Sequence, residues 1–169
     1  MDDIIRRSGL SAGAVYSYFS SKDELILAAV TTSLSGLKAL IGPLLQAQPV
    51  PAPARLLQQI AETIDAFTVR EGYDLKRVAL LGWAEAQRNE ELRTVMGTFY
   101  RAFREQLAQA LGDGSPTGHQ ASDATAKNAS KAMLTMIVGY VVQDALLRDV
   151  EPEELSSGLI AMSDQLRAT

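Results

Sequence analysis

Ile4-Ile5-Arg6-Arg7-Ser8-Gly9-Leu10-Ser11-Ala12-Gly13-Ala14-Val15-Tyr16-Ser17-Tyr18-Phe19-Ser20-Ser21-Lys22-Asp23-Glu24-Leu25 is the stretch on which the reading of this chain turns. A short helix from Met1 to Ser8 is expected to end at Gly9, since glycine often follows a last helical turn. Ser11 is a good N-cap for a second helix over Ala12 to Phe19. Ser20 or Ser21 caps a third, with Asp23 and Glu24 in its first turn, where the helix dipole favours acids. Val15 and Phe19 lie one turn apart and are expected to face inward over Ile4, Ile5 and Leu10. Two short helices joined by a tight turn let one brace on a phosphate backbone while the next enters a DNA major groove.

That use sets demands on the second helix. Residues near its start must be small or hydrogen-bonding to come close to base edges. Ala12, Gly13, Ala14 and Ser17 meet the demand. Tyr16 and Tyr18 reach phosphates through their hydroxyls, and Lys22 neutralises a phosphate where the third helix begins. Alanine methyls meet thymine methyls but donate no hydrogen bond, so direct base reading is expected to be thin.

The order Asp-Ile-Ile-x-x-Ser-Gly-Leu-Ser-x-Gly-x-Val-Tyr-x-Tyr-Phe-x-Ser-Lys-Asp-x-Leu, from Asp3 to Leu25, closely resembles the DNA-binding region of TetR-type transcriptional regulators. The resemblance implies that Ala12, Gly13, Ala14 and Ser17 are base-facing and that Tyr16, Tyr18 and Lys22 contact phosphates. It also implies a further helix ahead of Met1, which the 169 residues do not contain. Without it Ile4, Ile5, Val15 and Phe19 lack a packing partner, so weak DNA binding by these residues alone is expected.

The rest of the chain reads as helix. Strand-like alternation is absent, and β-branched residues are scattered. The third helix continues through Leu25, Ile26, Ala29, Val30, Leu34, Leu37 and Ile41 and is expected to close at Gly42-Pro43. Gln46 to Pro53 holds three prolines and is the expected domain boundary. Further helices are expected over 54–70, 74–88, 90–111, 123–148 (capped by Asp123) and 152–167, with a Gly/Ser/Pro-rich loop over 112–122. The expected fold is all-α: a partial helix-turn-helix head with its connector over 1–42, and a ligand-binding and dimerisation body over 43–169.

Composition bounds the function. With 47% hydrophobic residues the chain is globular. It has no cysteine, which excludes disulfides and thiolate chemistry, and a cytoplasmic setting is expected. No uninterrupted apolar run reaches the roughly 18–20 residues that span a bilayer, and no membrane role is expected. Ala132 to Val142 is the most apolar segment. The net charge of −4 runs against the basic footprint of nucleic-acid binders. Residues 1–22 are the exception, with Arg6, Arg7 and Lys22 against Asp2 and Asp3.

Two apolar faces distinguish the body. Met96, Phe99, Tyr100, Phe103 and Leu107 recur at helical spacing on one face. With Phe67, Trp83, Met133, Ile137 and Tyr140 from other helices they are read as lining a pocket for a small apolar or aromatic effector. The alternative for each is a packed core position. Glu85, Gln87 and Asp144 are candidate polar anchors there. Leu155, Leu159, Met162 and Leu166 form a second stripe. Gly139, Gln143 and Leu146 share a side of the preceding helix distinct from Ile137 and Tyr140. A helix apolar on two sides must be buried on two sides, which fits a two-fold homodimer interface.

Catalytic chemistry is not expected. His119 is the only histidine and falls in the loop, no metal-ligand or cofactor-binding pattern is present, and Glu90-Glu91 reads as a helix-start cap. The expected function is a ligand-responsive, dimeric, DNA-binding regulator, most often a repressor in the resembled family, released from a palindromic operator by its effector. The alternative is a small-molecule sensor or carrier acting through a protein partner without DNA.

Overall fold

The structure, a computed structural model, describes residues 11–71, 73–113 and 122–167. Over these residues it is helical throughout, with no strand. The elements are α1 (Ala12–Tyr18), α2 (Lys22–Leu45), α3 (Pro53–Glu71), α4 (Leu75–Glu85), α5 (Glu90–Asp113), α6 (Asp123–Leu146) and α7 (Pro152–Arg167). The helix expected before Gly9, with Ile4, Ile5 and Leu10, lies outside the described residues, as does His119.

Local chemistry explains most boundaries. Ser11 Oγ accepts the Ala14 N–H at 3.1 Å and starts α1. Asp74 caps α4 by accepting the Lys76 and Arg77 N–H groups. Asn89 Oδ1 accepts the Leu92 N–H at 3.0 Å at the start of α5. These side chains satisfy amides that a helix start leaves without partners.

Three expectations are corrected. Ser122, not Asp123, caps α6: its Oγ accepts the Thr125 N–H at 3.2 Å, and Asp123 sits inside the first turn. The helix expected over 74–88 ends at Glu85. α2 does not stop at Gly42-Pro43 but runs to Leu45 with Pro43 inside it. Proline removes one ladder hydrogen bond. Continuing the helix buries Leu45 and packs Leu44 on the core, which offsets that loss.

α2 is also more apolar on average than its interrupted runs indicate. An 18-residue window reaches a mean hydropathy of 1.7, so by length and composition the helix is long enough to cross a membrane. Its packing gives a different account. Val30, Ser33, Ile41 and Leu45 are buried against the body, while Thr31, Thr32, Ser35 and Lys38 face outward.

The core has two parts. The larger joins Ile41 and Leu45 of α2 to Leu56, Leu57, Ile60, Ile64 and Phe67 of α3, and to residues of α4, α5 and α6. The smaller joins Val30 of α2 to Ala86, Leu92 and Met96, with Ile26, Leu27, Trp83 and Tyr100 at its edge. α5 packs along α6, and α7 lies on α3. Leu155 and Leu159 of α7, expected at a dimer interface, are half-buried against the core of their own chain. Ser156 Oγ reinforces that docking by donating to the buried Gln58 amide oxygen at 3.1 Å.

Candidate functional site

Among the described residues, α1 has one buried side chain. Val15 points inward, while Ala12, Gly13, Tyr16, Ser17 and Tyr18 are exposed and Ala14 is half-buried. Ala12, Gly13, Tyr16 and Ser17 share one side of α1, with Tyr18 on the flank, as helical spacing dictates. A Cβ added at Gly13 would meet nothing within 4 Å, so packing within the chain gives no reason for a glycine there. Ser17 Oγ donates to the Ala14 carbonyl at 2.7 Å. Its proton is thus committed within the helix, and the hydroxyl is left to face outward as an acceptor.

A capping box ties the head to α2. Ser21 Oγ accepts the Glu24 N–H at 3.1 Å. In return Glu24 Oε2 accepts both the Ser20 N–H (2.7 Å) and the Ser20 hydroxyl (2.6 Å). These bonds, the hydroxyl's foremost, hold the Glu24 carboxyl below the usual carboxylate range. The two-residue corner between α1 and α2 is therefore stiff, and Lys22 stands exposed in the first turn beyond it.

Beneath the head, a cavity of about 50 Å3 lies between α2, α4, α5 and α6. Trp83, Met96, Phe99, Tyr100, Phe103 and Ile137, all singled out from sequence, line it. α2 contributes Val30, Ser33, Leu34, Leu37 and Ile41, none of which was singled out as a pocket residue. Their recurrence at i, i+4, i+7 and i+11 was legible, but only the fold shows what that stripe faces.

The polar groups of the wall satisfy one another. Trp83 Nε1 donates to the Tyr100 hydroxyl at 2.8 Å. Burial pushes the Tyr100 phenol above its ordinary pKa, against the smaller opposing effect of that bond. Ser33 Oγ donates to the Ala29 carbonyl at 2.8 Å and lies 3.0 Å from the Tyr73 hydroxyl. At its present size the cavity holds a water or two, whereas sites for small ligands are usually several hundred Å3. The lining side chains, the adaptable Met96 among them, therefore fill most of the space between these helices.

Three residues expected to line the pocket stand elsewhere. Phe67 is wedged against α2, where a Cβ on Gly36 would come within 3.0 Å of its ring, and it meets Tyr73 edge-on at 5.6 Å. Met133 is a core residue between helices. Tyr140 donates to both carboxylate oxygens of Asp65 at 2.7 Å. Glu85, Gln87 and Asp144 do not line the cavity either. Glu85 pairs with Arg88, Gln87 Nε2 donates to the Trp83 carbonyl, and Asp144 pairs with Lys76.

That last pair belongs to a network. The Lys76 ammonium lies between Asp144 and Asp65 and 5.1 Å from the centre of the Tyr140 ring. It joins α3, α4 and α6 through one nearly buried cation. Burial works against the charge on Lys76, but the bonds to Asp144 and Asp65 outweigh it and its pKa is raised. The Tyr140 phenol is also pushed up, by burial first and then by Asp65.

The expected interface residues divide. Leu146 and Met162 are well exposed, as are the neighbouring Leu147 and Ile160 (69, 61, 61 and 52% respectively), so the ends of α6 and the outer side of α7 present apolar surface. Gln143 is exposed and Gly139 half-exposed, with only the Gln143 side chain near a Cβ built on Gly139. The Leu166 side chain lies outside the described residues.

Known proteins match both parts of the chain. A family model described as BetI-type transcriptional repressor, C-terminal, matches residues 53–162. A second, for bacterial regulatory proteins of the tetR family, matches residues 1–29. An uncharacterised HTH-type transcriptional regulator, YfiR of Bacillus subtilis (strain 168), is 31% identical over 160 residues, which cover 92% of this chain and 74% of that protein. The HTH-type transcriptional regulator BetI of Agrobacterium fabrum is 29% identical over 112 residues, 66% of this chain and 52% of its own length. No solved structure matches. With its helix-turn-helix match at 1–29 and its all-helical body matched over 53–162, the chain belongs to the TetR family of bacterial transcriptional regulators.

Proposed function

We propose that the chain is a homodimeric repressor that reads a palindromic DNA operator through α1 and is released by a small apolar or aromatic effector bound in the body. It acts as a regulator, not an enzyme, in the cytoplasm. The observation that carries this reading is the shared wall of the cavity. α2 starts at the head with Lys22 and ends in the body core, and its middle lines the cavity from Val30 to Ile41. An effector that enlarges the cavity must therefore press on the helix that carries the head. Trp83 and Met96 also belong to the smaller core that holds Ile26, Leu27 and Val30, so moving them loosens the packing near the head end of α2.

The ligand-free and ligand-bound states of this mechanism differ in their contacts, which is what a population shift requires. Exposed Leu146, Leu147, Ile160 and Met162 support pairing of α6 and α7 with those of a second copy. Pairing places two α1 helices on one face of the dimer, suited to half-sites about 34 Å apart. Ala12, Gly13, Ala14, Tyr16, Ser17, Tyr18 and Lys22 meet the DNA in this arrangement.

The deciding experiment is a gel shift and footprint with the full-length protein on the DNA flanking its own gene, against random DNA of equal length. A protected two-fold symmetric site, with binding that weakens steeply as salt rises, is expected. Equal affinity for both DNAs at every salt concentration would sink the reading.

A further inference from the structure

Outside the cavity, an open groove lies on the surface where α4, α5 and α6 meet. Its inner part, lined by Trp83, Gly97, Tyr100, Arg101, Arg104, Leu134 and Val138, has a volume of about 470 Å3. Trp83, Tyr100, Leu134 and Val138 also line the internal cavity. These four side chains are thus a partition with the cavity on one side and the groove on the other. The hydrogen bond between Trp83 and Tyr100 is the only polar link across it among the described residues.

Arginines stand at this opening. The Arg101 guanidinium lies across Gly97, where an added Cβ would be 3.3 Å from Nη1, and its Nη2 donates weakly to Thr98 Oγ1 at 3.3 Å. Arg104 follows one turn later, half-buried. A second open groove of about 650 Å3 shares Arg101 and Arg104 and is lined further out by Glu105, Asp123, Lys127 and Lys131. Lys127 is paired with Asp123. Among the described residues no carboxylate bridges Arg101 or Arg104. In a chain of net charge −4 this seam is locally cationic. Two guanidiniums beside an apolar cavity match a ligand with charge at one end only.

We propose that the effector is an amphipathic anion that enters through this opening. Its carboxylate, sulfonate or phosphate head stays on Arg101 and Arg104. Its apolar chain or ring parts Trp83 from Tyr100 and fills the cavity. This rests on the reading of the cavity as the effector site and adds the class of ligand and its route.

Trp83 is the only tryptophan in the chain, so its emission reports on the partition directly. The test titrates the full chain, without DNA, with dodecanoate, dodecan-1-ol and dodecyltrimethylammonium below their micellar concentrations. Dodecanoate is expected to shift Trp83 emission saturably and to bind at least about tenfold more tightly than the alcohol, with the cation weakest. R101Q/R104Q is expected to bring dodecanoate down to the affinity of the alcohol and leave the alcohol unchanged, which also shows that the variant is folded. Equal or better binding of the alcohol or the cation by the unmodified chain overturns the anion proposal but leaves the effector cavity standing. So does a preference that persists in a folded R101Q/R104Q. Saturation by none of the three overturns both.

Discussion

The Trp83 indole N–H donates to the Tyr100 hydroxyl at 2.8 Å, from α4 to α5, across the wall between cavity and groove. Tyr100→Phe leaves that donor without its partner while keeping the ring in place. A partly buried unsatisfied donor costs about 1–2 kcal/mol, so urea unfolding is expected to move to lower midpoint with an unchanged slope. Trp83 emission of the folded variant is expected to change as well.

Gly13 faces open space on α1, so Gly13→Ala adds a methyl that nothing in the chain resists. Alanine favours helix over glycine by up to about 1 kcal/mol. Thermal unfolding is expected to be unchanged or slightly raised. DNA affinity in a gel shift is expected to fall, because the methyl stands on the face proposed to enter the major groove. Loss of stability together with DNA binding would show that Gly13 serves the fold instead.

Ser17 has its proton committed to the Ala14 carbonyl. In the proposed DNA complex it is expected to meet a base as an acceptor, which suits the amino groups of adenine or cytosine in the major groove. Ser17→Ala is expected to relax discrimination at one base pair per half-site, by about 1 kcal/mol. Binding to a panel of single-base operator variants measures it.

Leu146→Glu combined with Met162→Glu places charge on the exposed apolar ends of α6 and α7. Neither side chain is part of the core, so the monomer is expected to stay helical by circular dichroism. Sedimentation is expected to show a monomer, and operator binding is expected to collapse, since each half-site then binds alone.

The Lys76 network sets an alkaline limit. Burial lowers the Lys76 pKa, but Asp144 and Asp65 more than offset it, and burial with Asp65 raises that of Tyr140. A group whose pKa is raised on folding contributes fully below its unfolded pKa and loses that contribution as pH climbs through the folded value. Stability is therefore expected to be flat with respect to these groups through neutral pH and to fall above about pH 10. Tyr140→Phe is expected to flatten part of that fall in urea midpoints measured from pH 8 to 11.

What could be read from the chain was mostly local. The caps at Ser11, Ser21 and Asn89 depend on neighbours three residues away, and the sequence displays those neighbours. Met96, Phe99, Tyr100 and Phe103 were legible as one apolar face through helical spacing. Spacing shows which residues share a side but not what that side meets. Phe67 looks like a pocket residue until Gly36 is seen to admit its ring against α2. Leu155 and Leu159 read as an apolar stripe, but that α3 covers part of it is visible only in the fold. Pro43 reads as a helix end because its local cost is visible and the distant burial of Leu45 is not.

Pro43 does not break α2, and this fixes a mechanical ratio. The helix is 24 residues, about 36 Å from end to end. Its last turns are clamped in the main core by Ile41 and Leu45, while the stiff Ser20–Glu24 corner leaves no slack at the other end. A tilt of about 5° about that clamp sweeps Lys22 and the attached α1 through about 3 Å, the length of the hydrogen bonds by which such residues hold phosphates. In the proposed mechanism, a tilt no larger than this is all that an effector beside Trp83 has to impose to shift the head by the length of one such contact.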